Sequence, residues 1–68
     1  METVVIGVAG MHCQACVKNV STVLTALPGV AGVDVSLAAG QASVSYDPTL
    51  ASAANFREAI EAAGFDAT

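Results

Sequence analysis

Two cysteines, Cys13 and Cys16, lie two residues apart in the segment Gly10-Met11-His12-Cys13-Gln14-Ala15-Cys16. Thiols at this spacing do one of two kinds of chemistry: they hold a soft metal ion, or they exchange with disulfides. Soft thiolates favour Cu(I) and other soft d10 ions, and two sulfurs suffice for a near-linear complex. Zinc usually takes four ligands, and His12 is the only histidine, so one chain cannot complete a structural site of four cysteines or of two cysteines and two histidines. The expected metal ligands are Cys13 and Cys16. His12 is an alternative third donor, because imidazole is the commonest metal ligand, although it alternates away from Met11 and is expected to be solvated. Met11 reads as a flexible core filler rather than a thioether ligand. Cu(I) is the expected ion, with Zn(II), Cd(II) and Hg(II) as alternatives.

The redox reading requires more than the cysteines. A thioredoxin-like protein predicts a longer chain, yet this one has 68 residues. Its inner pair is Gln14-Ala15, no aromatic residue precedes Cys13, and neither Pro28 nor Pro48 is placed to face the thiols.

The elements that must position the thiols are legible as periodicities. From Thr3 to Val8 the chain is rich in β-branched residues, with Val4, Ile6 and Val8 on one face of a strand and Thr3, Val5 and Gly7 on the other. The alternation stops at Ala9, and Gly10 permits an unusual turn, so residues 9–15 read as a loop. Cys16, Val20, Val23, Leu24 and Leu27 then recur at helical spacing, and Pro28-Gly29 ends that helix. Val33, Val35 and Leu37, followed after Ala38-Ala39-Gly40 by Ala42, Val44 and Tyr46, predict a β-hairpin with one buried face. Asp47-Pro48 breaks it. Ser52 is placed as the N-cap of a second helix carrying Phe56, Ala59, Ile60 and Ala63 up to Gly64, and Phe65 to Ala67 leaves space for a short last strand. Strand, helix, strand, strand, helix, strand is an α+β, ferredoxin-like βαββαβ order: a four-stranded antiparallel sheet with two helices on one face, in a single domain over 1–68.

This order gives the two sulfurs different surroundings. Cys16 starts the helical stripe and is expected to lean toward the core, where apolar neighbours disfavour its thiolate. Cys13 lies in the loop and is expected to be the exposed thiol, first to meet a partner's sulfur. A helix N-terminus carries partial positive charge that lowers thiol pKa values and offsets the charge of a bis-thiolate site.

Composition narrows the class further. Six acidic residues against Lys18 and Arg57 give a net charge of -4, which repels nucleic acid and offers nothing to anionic lipid, but suits a basic protein partner. No run approaches the roughly 20 apolar residues of a membrane span, so no membrane insertion is expected. The chain opens Met1-Glu2 with no cationic side chain before Lys18, unlike a secretory signal, and is read as soluble and cytoplasmic.

Gly10-Met11-His12-Cys13-Gln14-Ala15-Cys16 resembles the G-M-x-C-x-x-C signature of heavy-metal-associated domains, the family of copper chaperones and of the metal-binding domains of P-type ATPases. The resemblance runs on through Leu27-Pro28-Gly29-Val30, Val33-Asp34-Val35-Ser36-Leu37, Val44-Ser45-Tyr46-Asp47-Pro48 and Ile60-Glu61-Ala62-Ala63-Gly64-Phe65. It implies that Cys13 and Cys16 are Cu(I) ligands, that the fold is βαββαβ, that no enzyme activity is present, and that metal passes by ligand exchange to a P-type ATPase or its metal-binding domain. The residue before the first cysteine is commonly Thr or Ser in copper-binding members and Asp in zinc-preferring ones; His12 departs from both, and the absence of Asp favours copper. Gly64-Phe65 resembles the ATPase-domain pattern, whereas the short chain beginning at Met1 resembles a free chaperone. An apolar ring at Phe65 would lie close to the metal loop. The apo chain is expected to be a monomer, with a metal-bridged dimer as an alternative once metal is bound.

Overall fold

The computed structural model describes residues 1–68. Six elements follow one another: β1 (Glu2–Ala9), α1 (Gln14–Thr25), β2 (Val30–Ser36), β3 (Gln41–Tyr46), α2 (Ala53–Ala62) and β4 (Asp66–Ala67). The strands form one antiparallel sheet in the order β2-β3-β1-β4. This is the expected ferredoxin-like βαββαβ arrangement, with both helices on one face.

Alternation along the strands decides which side chains meet the helices. Ile6 and Val8 of β1 and Ala42, Val44 and Tyr46 of β3 point inward and are buried, joined by Val20 and Leu24 from α1 and Phe56 and Ile60 from α2. Each larger side chain of this set contributes about 1.5–3 kcal/mol when fully buried. The Tyr46 and Phe56 rings meet edge to face, centroids 4.9 Å apart at 80°, the arrangement that opposed quadrupoles favour. On the other face Thr3 stands opposite Ser45 with their hydroxyls 3.3 Å apart, and Val5, opposite Ser43, is 54% exposed. Val33 and Val35 are only half-buried because β2 is an edge strand.

Several boundaries differ from the periodicity. α1 begins at Gln14 rather than Cys16 and ends at Thr25, leaving Leu27 in the following turn, where its amide still donates to the Leu24 carbonyl at 3.1 Å. Leu27 therefore packs on the core without being helical. Leu37 belongs to the turn between β2 and β3 rather than to a strand. Ala63 is exposed, since α2 stops at Ala62 before that position can rotate back to the sheet. Ser52 does cap α2: Asn55 Oδ1 accepts from the Ser52 amide at 3.0 Å and from its hydroxyl at 3.1 Å, tying the cap to the first turn.

β1 carries the chain to the thiols and is held on both edges. It pairs with β3 from Glu2↔Tyr46 to Gly7↔Gln41, and with β4 at Val8↔Ala67 and Ala9↔Asp66. The Thr68 amide donates to the Gly7 carbonyl at 2.9 Å, and the Thr68 hydroxyl lies in the space a Cβ at position 7 would enter.

Candidate metal centre

One end of the molecule gathers the segment from Ala9 to Gln14, the β2–β3 turn and the chain leaving α2. The Val8 amide donates to the Gly40 carbonyl at 2.7 Å, fixing the turn against the end of β1. Gly10 has φ +96, a conformation that L side chains rarely adopt, and the Phe65 ring lies 3.6 Å from where its Cβ would be. Phe65 thus packs against the loop that carries the cysteines, as the resemblance implied.

Cys13 is the N-cap of α1. Its backbone is extended (φ -151, ψ 164), its carbonyl accepts from the Cys16 and Val17 amides, and its sulfur accepts from the Cys16 amide at 3.3 Å. A sulfur therefore stands where a Ser, Asp or Asn oxygen usually caps a helix. Periodicity missed this role because it located the helix by its first apolar residue. The available signal was negative: between Gly10 and Ala15 no Ser, Thr, Asp or Asn is present to cap.

The two sulfurs lie 2.7 Å apart, both cysteines free, Cys13 exposed and Cys16 half-buried. That order of exposure is the expected one. Burial pushes the Cys16 thiol up as expected, but hydrogen bonds outweigh it: its pKa is lowered, first by the hydrogen bond from the Cys13 thiol and then by backbone hydrogen bonding at His12. The partial positive charge of the α1 N-terminus acts in the same sense. A near-linear ion at about 2.3 Å from each sulfur, the length of a zinc–thiolate bond, requires the sulfurs to part to about 4.6 Å.

His12 is exposed, and no third His, Cys, Asp or Glu groups with the two thiols. Met11 is buried in the core, 8% exposed. The thiols occupy open surface: the one cavity, about 430 Å³ beside Leu27, Pro28, Leu50 and Ala59, lies between the end of α1 and the start of α2. No helix is long and apolar enough to cross a membrane.

Comparison with known proteins agrees with this architecture. The family model described as heavy-metal-associated domain matches residues 5–66, and the chain belongs to that family. It is 46% identical over 68 residues to an uncharacterized protein of Haemophilus influenzae, covering 100% of this chain and 98% of the relative. The copper chaperone CopZ of Bacillus subtilis is 44% identical over 66 residues, covering 97% and 96% of the two chains. Among solved structures, a copper-binding domain from a P-type ATPase superposes with TM-score 0.98 at 38% identity, covering 100% of this chain and 92% of that one.

Proposed function

We propose that this chain binds one Cu(I) ion between the thiolates of Cys13 and Cys16 and passes it to a partner protein by ligand exchange, without catalysing a reaction. The observation that carries the reading is the pair of free sulfurs 2.7 Å apart at a helix N-terminus, one exposed and one half-buried. Two thiolates and a monovalent ion leave one negative charge, which the positive end of α1 offsets. Transfer begins when a partner thiol loses its proton and its sulfur bonds to the ion as a third ligand. The Cys13 sulfur then leaves and takes up a proton, and a second partner sulfur displaces Cys16 in the same way.

The partner suited to this exchange is a metal-transporting P-type ATPase or its own metal-binding domain, in the cytoplasm. Likeness to CopZ supports a free chaperone. A second reading, that the chain is itself the metal-binding domain of such an ATPase, is favoured by the superposition on a copper-binding domain of that origin and by the Gly64-Phe65 pattern. Zn(II), Cd(II) and Hg(II) are weaker candidates: zinc lacks its third and fourth ligands here, and a metal-bridged dimer is the arrangement that would supply them.

The test is anaerobic titration of the reduced protein with Cu(I) against a competing chelator. One tightly held ion per chain, far stronger than Zn(II), is expected. Weak or non-stoichiometric binding would refute the assignment. Turnover in an insulin-reduction assay would move the protein to the redox class instead.

A further inference from the structure

We infer that the cavity between the end of α1 and the start of α2 binds a small apolar ammonium ligand, its hydrocarbon body against Leu27 and Leu50 and its cation at Glu58. The inference is independent of the metal-transfer reading, because α1 runs away from the thiols and the cavity lies beyond its last turn, at the opposite end of the molecule. At about 430 Å³ the cavity falls in the range of roughly 300–1,000 Å³ common to small-molecule sites. Leu27, Pro28, Leu50, Ala51 and Ala59 make its lining largely apolar. Leu50 is 64% exposed there, a large apolar side chain that a ligand would cover. Its position is fixed by the turn before it: a Cβ at Gly29 would come within 2.7 Å of the Leu50 Cβ.

The polar part of the lining sets the sign of the ligand. Asn55 and Glu58 are three residues apart and share one face of α2. Asn55 Oδ1 already accepts from the Ser52 amide and hydroxyl, so Asn55 offers the cavity donors only, and Glu58 supplies the acceptor, with a negative charge. Glu61 follows three residues further along α2, and Asp47 and Glu2 lie at the same end of the sheet, Glu2 opposite Tyr46. Two cations stand against these four carboxylates. Arg57 is half-buried and adjacent to Glu58 in sequence, a spacing at which helical side chains do not face each other. The N-terminal ammonium acts on Asp47. Lys18 lies about 10.5 Å along α1 before Thr25, roughly one screening length at 0.1 M salt. Asp34 belongs to β2, and His12 and Asp66 to the thiol end. An anion in the cavity would meet Glu58, and an alcohol would leave that carboxylate without a counter-charge. An ammonium supplies it while its chain covers Leu50.

The test titrates the reduced apo chain with n-hexylammonium, n-hexanol and n-hexanoate, read by NMR of the side-chain methyl groups. Saturable shifts centred on the methyls of Leu27, Leu50, Ala51 and Ala59 are expected. The ammonium should bind about threefold or more tighter than the alcohol, the scale of a solvent-exposed ion pair, and the carboxylate more weakly than the alcohol. Glu58→Gln keeps the shape of an exposed side chain and should bring the ammonium within twofold of the alcohol, with the affinity of the alcohol itself unchanged. Leu50→Ala, also at an exposed position, should weaken the ammonium and the alcohol alike. Shifts centred elsewhere, no saturable shift with any of the three, an ammonium preference below threefold, or a preference that survives Glu58→Gln overturns the inference. So does a carboxylate that binds as tightly as the alcohol, or a Leu50→Ala variant with undiminished affinity. None of these outcomes touches the metal reading, which stands or falls by the Cu(I) titration.

Discussion

The Cys16 amide donates to the Cys13 sulfur across 3.3 Å, so one sulfur is at once the cap of α1 and half of the candidate metal site. Helix start and metal loop are thereby a single structure. A metal bound by that sulfur competes with the amide for its lone pairs.

The double role separates stability from binding. Cys13→Ser keeps a capping atom at the N-cap and should leave the apo protein at least as stable as the parent. Cys13→Ala removes it and should be less stable than Cys13→Ser by about 1 kcal/mol. Urea unfolding of the reduced apo proteins measures the difference. Both variants should lose stoichiometric Cu(I) binding. Equal unfolding midpoints for the two would show that a capping atom at position 13 adds no stability.

Exposure and charge now oppose one another at the thiol pair. Cys13 is the accessible sulfur, whereas the lowered pKa belongs to Cys16. The sulfurs touch at 2.7 Å, but Cys13 is the more open of the two to a reagent from solution. Access should therefore decide. Less than one equivalent of iodoacetamide, with the label mapped by peptide mass spectrometry, should mark Cys13 predominantly. A preference for Cys16 would show that thiolate character outweighs burial.

His12 lies next to the pair without grouping with it as a third donor. His12→Ala should leave Cu(I) affinity within roughly tenfold, about 1.4 kcal/mol, in the same chelator competition. A hundredfold loss, about 2.7 kcal/mol, would make the imidazole a ligand.

At the opposite end, Asp47 Oδ1 accepts from the Thr49 hydroxyl at 2.7 Å and the Thr49 amide at 2.9 Å, and these bonds lower its pKa, the hydroxyl most. A carboxyl depressed in the folded state adds stability that is fully present above its unfolded pKa, about 3.9, and is lost as pH falls through the folded value. Thr49→Val removes the hydroxyl donor. The variant should lose stability relative to the parent at pH 6, and the gap should narrow as the pH falls below the unfolded value of about 3.9. A gap independent of pH would assign the effect to packing rather than to the carboxylate.

The fold was legible because the strands and helices carry their apolar residues at periods of two and of three to four. Ile6, Val8, Val20, Leu24, Ala42, Val44, Phe56 and Ile60 all fall on those stripes and all are buried. Boundaries were less legible, because a helix begins at its cap and not at its first apolar side chain. Gln14 and Ala15 are exposed helical residues that no stripe could include. At the site, the cysteine pair and its order of exposure followed from spacing and from the stripe that starts at Cys16. The direction of the Cys16 shift did not, since it depends on a hydrogen bond between side chains whose rotamers the sequence does not specify.

The clamp of Thr68 on Gly7 has a kinetic consequence. The strand that leads into the thiol loop closes its β4 edge with residues up to 61 positions away. Closing a loop of that length costs about 3–4 kcal/mol of chain entropy before any contact repays it. Long-range pairing of this kind slows folding relative to local helix formation. On the ribosome, β1 gains its second neighbour only when residues 66–68 have been made. The thiol loop thus reaches its final geometry late, and an ion offered earlier meets two cysteines on an unfinished scaffold.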